Sequence, residues 1–295
     1  MTRSVLLCLL LASAITPALA ALILSLPRWP LRAVGDGRRI GGPALVAGLL
    51  AGTATALAQL PGFLLAGAGA VLLLGLLDDR FDLRAWQKLL VQAVAAGLAV
   101  TALGPVRRVF LGLAVPTGPF AVAVPFLWLL GTTNAANLID GLDGLAACVL
   151  TPSFAALGAL AILNGDLPGA LVALAAAGAL AAFYPFNRRP ARLLLGDTGA
   201  EFLGFVLGIL ALRILSPAPG AWSAGPAILL MLVPLSDTGF AVGRRLMRGR
   251  SILRGDRQHI HHRLAGRLGE ARAAVLLSAI AALCALGAAL LQIAP

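Results

Sequence analysis

Ten long apolar stretches recur along this 295-residue chain, separated by short segments that hold most of its charge. They fall at Ser4–Leu26 and at about 43–58, 62–77, 87–104, 119–136, 144–163, 168–186, 199–215, 225–243 and 273–293. A spanning helix needs about 20 mostly apolar residues. Open strands cannot satisfy their backbone groups in lipid, so the pattern predicts an all-α, polytopic bundle of about ten transmembrane helices. Composition removes the alternatives. Only 12% of the residues are charged and the mean hydropathy is +0.94, whereas a soluble chain carries about a quarter charged residues. A water-soluble domain and a disordered chain are both excluded. The first stretch begins after Arg3 and contains Ala18-Leu19-Ala20 in the manner of a signal peptide, yet it continues apolar through Leu26. It is therefore read as an uncleaved first helix. With no linker and no internal repeat, residues 1–295 read as a single membrane-embedded domain.

The charges are distributed unevenly. There are 23 basic and 12 acidic residues, for a net charge of +11, and Lys88 is the only lysine. No basic run lies on a soluble domain and aromatic residues are scarce, so nucleic acid is not an expected partner. The segments 27–42, 78–88, 137–143, 187–198 and 244–272 hold 19 of the 23 basic residues. Gln59–Pro61, Asn164–Leu167 and Ser216–Ala224 are short or neutral. The positive-inside bias places the charged set in the cytoplasm and both termini outside. Eleven of the twelve acids also lie in or beside that set, and only Asp166 falls on the other side. Carboxylates at membrane depth are costly unless paired with cations, metals or each other. Their concentration on one face predicts a site open to the cytoplasm. Cys8, Cys148 and Cys284 sit in apolar stretches without metal-type spacing and read as small hydrophobes.

Four motifs carry candidate chemistry. In Asp78-Asp79-Arg80-Phe81-Asp82 the adjacent carboxylates repel. They read either as a Mg²⁺-holding or basic pair, or as a solvated helix cap partnered by Arg80 and Arg84. In Asn134-Ala-Ala-Asn137-Leu-Ile-Asp140-Gly141-Leu-Asp143-Gly144, the three-residue spacing puts Asn134, Asn137 and Asp140 on one helical face. These oxygens suit a hard cation and sugar hydroxyls. A polar hinge is the plainer reading, but a hinge has no need to concentrate acceptors. Asn187 through Gly199 ends in Gly196-Asp197-Thr198-Gly199, where a following helix offers N–H groups to an anion and Asp197 reads as a metal ligand or as an N-cap. The fourth motif, His259-Ile260-His261-His262, lies in the most basic segment beside Arg257, so an anion clamp competes with a zinc site. The surplus of arginine favours phosphate.

Taken in this order, the four motifs resemble the polyprenyl-phosphate N-acetylhexosamine-1-phosphate transferase family, within the branch that uses UDP-N-acetylglucosamine. The resemblance covers Arg39-Ile40-Gly41-Gly42 through Leu264, and the Asn-x-x-Asn-x-x-Asp-Gly-x-Asp-Gly and His-x-His-His elements are its specific parts. It implies transfer of N-acetylglucosamine 1-phosphate from a UDP-sugar to polyprenyl (undecaprenyl) phosphate, with release of UMP and initiation of a cell-envelope glycan such as lipopolysaccharide. It further implies Mg²⁺, with Mn²⁺ as a substitute, held by Asn137 and Asp197. Asp78, Asp79, Asp140 and Asp143 are then expected to be catalytic. Asn134, Asn187, Arg257, His259, His261 and His262 are expected to bind the nucleotide sugar. The implied setting is the inner (cytoplasmic) membrane with a cytoplasmic active site, and a homodimer is compatible with it. The muramoyl-pentapeptide branch and, in a different class, a transporter or lipid flippase are the alternatives. Two positions depart from the family pattern: Leu194 replaces a common aromatic and Ala200 a common serine.

Overall fold

The structure is a computed structural model that describes residues 2–31, 37–110, 114–116, 118–216, 221–249, 251 and 258–293. Asp36, Arg250, Arg254, Asp256 and Arg257 lie outside the described residues. The chain forms a helical bundle: α1 (Thr2–Ser25), α2 (Gly42–Leu57), α3 (Gly62–Phe81), α4 (Ala85–Leu103), α5 (Ala123–Ile139), α6 (Leu145–Leu163), α7 (Leu167–Asn187), α8 (Gly196–Ile214), α9 (Ala224–Leu230), α10 (Leu232–Met247), α11 (Ile260–Leu268) and α12 (Glu270–Ile293). Among the described residues, five short strands accompany them: β1 (Arg39–Ile40), β2 (Arg108–Phe110), β3 (Ala114–Pro116), β4 (Leu193–Leu194) and β5 (Ala221–Ser223).

Each of the ten expected apolar stretches contains helix, but their lengths differ from the expectation. Among the described residues, six helices are long and apolar enough to span a membrane, or seven if a bent pair counts as one span. Helices α2 and α5 have only 16 and 17 residues, and α8 carries Asp197, Glu201 and Arg213 within its length. The stretch at 225–243, expected as one straight span, is instead broken between α9 and α10 by 85°. Pro234 accounts for the break, because it has no N–H to give the carbonyl of Leu230 and its ring crowds that carbonyl. The freed oxygen is not left bare, since the Ser153 hydroxyl of α6 donates to it at 2.6 Å. An unpartnered carbonyl would be expensive in lipid.

Two small sheets clamp the helix ends. β1 pairs in parallel with β4, in register Arg39↔Leu193 and Ile40↔Leu194, and the Gly41 N–H continues the ladder to the Leu194 carbonyl at 2.8 Å. This ties the segment before α2 to the segment before α8. β2 pairs antiparallel with β3 and parallel with β5. Asp166, the N-cap of α7, accepts from the Gly169 N–H at 3.1 Å. It also takes two bonds from Arg213 at the far end of α8, at 2.6 and 2.8 Å. Burial pushes the Asp166 carboxyl up, but the Arg213 guanidinium outweighs it and holds the group below its ordinary value. A planar guanidinium makes such a two-pronged bond well, and it fastens α7 to α8 at the end opposite the acidic motifs.

Candidate active site

The acidic motifs meet where α3, α5 and α7 end and α4, α6 and α8 begin. A cavity of about 300 Å³ opens there, lined among others by Asp78, Asp79, Asn137, Asp140, Asp143, Asn187 and Asp197. Seven of the twelve residues expected from sequence thus share one wall, although they are spread over 120 positions of chain.

The adjacent Asp78 and Asp79 have different partners. Asp79 reaches the start of α8, where its carboxylate accepts from the Asp197 N–H at 2.8 Å, from the Thr198 N–H at 3.0 Å and from the Thr198 hydroxyl. The helix N-terminus expected to receive an anion receives this one, which satisfies N–H groups that no helical carbonyl can reach. Asp78 closes the turn after α3 by accepting from the Leu83 N–H at 2.7 Å, and its other oxygen faces the Lys88 ammonium at 2.5 Å.

Lys88 is the hub of the site. Its Nζ lies 2.6 Å from Asp197 and 2.9 Å from Glu201 as well, so three carboxylates from two helices surround one ammonium. The Asn137 amide donates to Asp197 at 2.7 Å and to Glu201 at 3.2 Å. Sequence reasoning passed over both Lys88 and Glu201. The signals were present: Lys88 is the only lysine in the chain, and Glu201 follows Asp197 by four residues, hence on the same helical face.

The remaining expected residues are distributed around this hub. Asp140 lines the cavity; burial, then the Asp197 charge, pushes its carboxyl well above the usual carboxylate range. Asp143 serves as a tie, with one oxygen on Arg38 at 2.7 Å and the other on the Ala191 N–H at 2.9 Å. Asn187 is 1% exposed. Its amide donates to the Leu193 carbonyl at 3.0 Å, while its Oδ1 has no partner among the described residues. Asn134 sits one turn deeper than Asn137, bonded to Gln92 at 2.7 Å and to the Leu130 carbonyl at 2.8 Å, and does not line the cavity. Nor do His259, His261 and His262. Asp237 of α10, assigned no role from sequence, pairs with His259 Nδ1 at 2.6 Å and lies 3.1 Å from His261 Nδ1. Two ligands of one tetrahedral zinc sit about 3.3 Å apart, so the 2.6 Å approach fits a hydrogen bond.

The oxygen donors fit a hard divalent cation. One oxygen each of Asp78, Asp197 and Glu201 lies within 4.8 Å of the others, and Glu201 Oε2 is buried without a partner among the described residues. Three carboxylates face a single ammonium here, so the cluster holds more acidic groups than cations. Hard divalent ions prefer oxygen ligands, and in this structure the Lys88 ammonium lies between the three carboxylates.

The approach of α3 to α8 depends on Gly75. A Cβ there would lie 2.6 Å from Thr198 Cα and 2.8 Å from the Asp197 carbonyl oxygen. Gly75→Ala is expected to force the two helices apart, costing about 1–3 kcal/mol of packing and, through loss of alignment, on the order of a hundred-fold in turnover. Thermal unfolding in detergent and a turnover assay check this together; unchanged values in both would show that the contact is not limiting.

Known proteins resemble the chain over much of this region. The model of glycosyl transferase family 4 matches residues 61–215, which contain the Asp-Asp pair, the Asn/Asp turn and Asp197. The chain is 34% identical to a probable undecaprenyl-phosphate N-acetylglucosaminyl 1-phosphate transferase of Bacillus subtilis (strain 168), covering 77% of this chain and 65% of the relative. It is 35% identical to a decaprenyl-phosphate N-acetylglucosaminephosphotransferase of Mycolicibacterium smegmatis, over 80% and 62%. It is 32% identical to an undecaprenyl-phosphate alpha-N-acetylglucosaminyl 1-phosphate transferase of Yersinia pestis, over 84% and 71%. The chain thus spans roughly two thirds of the length of these relatives. Since the matched region is also the one that builds the acidic cavity, the chain belongs to glycosyl transferase family 4.

Proposed function

We propose that this protein transfers N-acetylglucosamine 1-phosphate from UDP-N-acetylglucosamine to a polyprenyl phosphate such as undecaprenyl phosphate, at the cytoplasmic face of the cytoplasmic membrane. The observation that carries the reading is the gathering of Asp78, Asp197 and Glu201 around Lys88 at the ends of apolar helices, beside a cavity that Asp78 and Asp197 line together with Asn137, Asp140 and Asn187. A polar, anion-handling centre at the edge of a lipid-facing bundle suits a reaction between a soluble diphosphate and a membrane-held phosphate. The relatives' names give the same transferred group and the same class of acceptor.

In the reaction, an oxygen of the lipid phosphate forms a bond to the β-phosphorus of the nucleotide sugar. The bond from that phosphorus to the bridging oxygen breaks, and UMP leaves with the electron pair. Phosphoryl transfer asks for alignment and charge neutralisation more than for a protein nucleophile. Mg²⁺ or Mn²⁺ at Asp197, Asn137, Asp78 and Glu201 would supply that neutralisation. Lys88 keeps Asp78, Asp197 and Glu201 in register by its three contacts. Asp79 fixes the start of α8 and with it the direction of Asp197. A phosphate monoester is already largely ionised at pH 7, so Asp78 and Asp79 serve the reaction by holding Lys88 and α8 in place more than by deprotonating the attacking group. Asp140, Asp143 and Asn187 form the wall offered to the sugar and base. The family resemblance assigns Arg257 and His262 to the phosphates.

The test is direct. Purified protein with labelled UDP-N-acetylglucosamine and undecaprenyl phosphate is expected to release UMP only when Mg²⁺ or Mn²⁺ is present. A parallel screen of UDP-GalNAc, UDP-FucNAc and UDP-MurNAc-pentapeptide identifies the donor. Absence of UMP release with every donor would reject the reading, and uptake of a solute into proteoliposomes without UMP release would replace it with transport.

A further inference from the structure

We infer that Asp237 is a positioning residue for the nucleotide-sugar wall of the site: its carboxylate fixes His259 and His261, and His261 braces the turn that carries Asp140 and Asp143. This rests on the function proposed above.

Asp237 lies on α10 and is 2% exposed. One oxygen holds His259 Nδ1 at 2.6 Å. The other accepts the His261 backbone N–H at 3.2 Å and lies 3.1 Å from His261 Nδ1. Both oxygens are therefore engaged, and the two imidazoles stack with centroids 5.4 Å apart and planes 28° apart. A carboxylate can accept on both oxygens at once, whereas an amide offers only one acceptor oxygen.

The far edge of the His261 ring meets the turn after α5. A Cβ added to Gly141 would fall 2.3 Å from His261 Nε2 and 3.2 Å from Cδ2 and Cε1. The ring thus rests against a backbone position that only glycine accommodates. Gly141 itself lines the acidic cavity between Asp140 and Asp143. At 1% exposure, His261 has no open face for a phosphate. It can influence the substrate by holding this turn, and the broken span at Met231 brings α10 to where Asp237 can hold it. The four groups form a chain of contacts from α10 through the start of α11 to the wall of the cavity.

The experiment measures KM for UDP-N-acetylglucosamine, KM for undecaprenyl phosphate, kcat and thermal unfolding for wild type, Asp237→Asn, Asp237→Ala, Gly141→Ala, His261→Ala and the Gly141→Ala/His261→Ala double variant. Asp237→Asn is expected to raise KM for the nucleotide sugar about ten-fold and Asp237→Ala about a hundred-fold, with KM for the lipid within two-fold of wild type. A folded Asp237 variant with both KM values unchanged overturns the inference, whether or not kcat falls, because a merely structural role lowers the active fraction and leaves KM alone. If Asp237→Ala does not fold, the Gly141 series decides. Gly141→Ala is expected to lower the unfolding temperature and raise the same KM, while adding it to His261→Ala changes neither further. Independent, additive effects would mean that ring and turn are not coupled, which overturns the brace. Should wild type release no UMP with any donor, the proposed function fails by itself. The coupling of Gly141 and His261 in unfolding temperature still decides the brace.

Discussion

Asp197→Asn is expected to abolish turnover, by at least about a thousand-fold, while the protein remains folded. The substitution changes little volume. Its effect comes from removing one negative charge at the point where α8, Asn137 and Lys88 converge. Charge stabilisation at a transferring phosphoryl group is worth several kcal/mol, and each 1.4 kcal/mol is a factor of ten in rate. The fold should tolerate the change, because Asp197 is the most open of the three carboxylates around Lys88, with 31% of its side chain exposed against 6% for Asp78 and none for Glu201. The Asp79 cap is unaffected, since it uses the backbone of residue 197 and not its side chain. Detergent-stable Asp197→Asn protein with rates near wild type would remove Asp197 from the reaction. Asp79→Asn makes the contrast. That carboxylate accepts three bonds at the start of α8, so its loss should lower stability and activity together, where Asp197→Asn lowers activity alone.

This contrast shows what the sequence made legible. Hydropathy exposed the helices, because lipid solvation imposes an apolar run on each of them. The cavity was legible because carboxylates and amides at helix ends in a membrane need a reason to be there. What the local pattern did not reveal was partnership. Asp78 and Asp79 look equivalent as neighbours in the chain, but consecutive helical residues point about 100° apart. One therefore meets α8 and the other meets Lys88. The histidine motif was legible as a concentration of imidazoles, but its acidic partner lies 22 residues upstream on another helix, and no spacing rule connects Asp237 to His259. The break at Met231 was hidden for a similar reason. Pro234 marked it, but the hydroxyl that makes it tolerable comes from Ser153, far away in the sequence.

Lys88 gives the second large effect, and it tests whether ammonium and metal serve the same charge cluster. Its side chain is 16% exposed and touches three carboxylates at 2.5, 2.6 and 2.9 Å. Removing one member of a buried charge cluster leaves the others uncompensated, at a cost of about 3–5 kcal/mol. Lys88→Gln is therefore expected to unfold at markedly lower temperature than wild type in EDTA. Glutamine keeps most of the length and can still donate, so the loss isolates the charge. A divalent cation bound to Asp78, Asp197 and Glu201 would supply the missing positive charge. Ligand that binds only the folded state stabilises it by mass action. Mg²⁺ or Mn²⁺ should accordingly raise the unfolding temperature of Lys88→Gln by more than it raises that of wild type, while turnover stays severely impaired because alignment by the ammonium is lost. Equal stability of the two proteins in EDTA would show that Lys88 is not the counter-ion of the cluster. An equal rise with Mg²⁺ in both would place the cation elsewhere, separating the electrostatic core of the site from its metal.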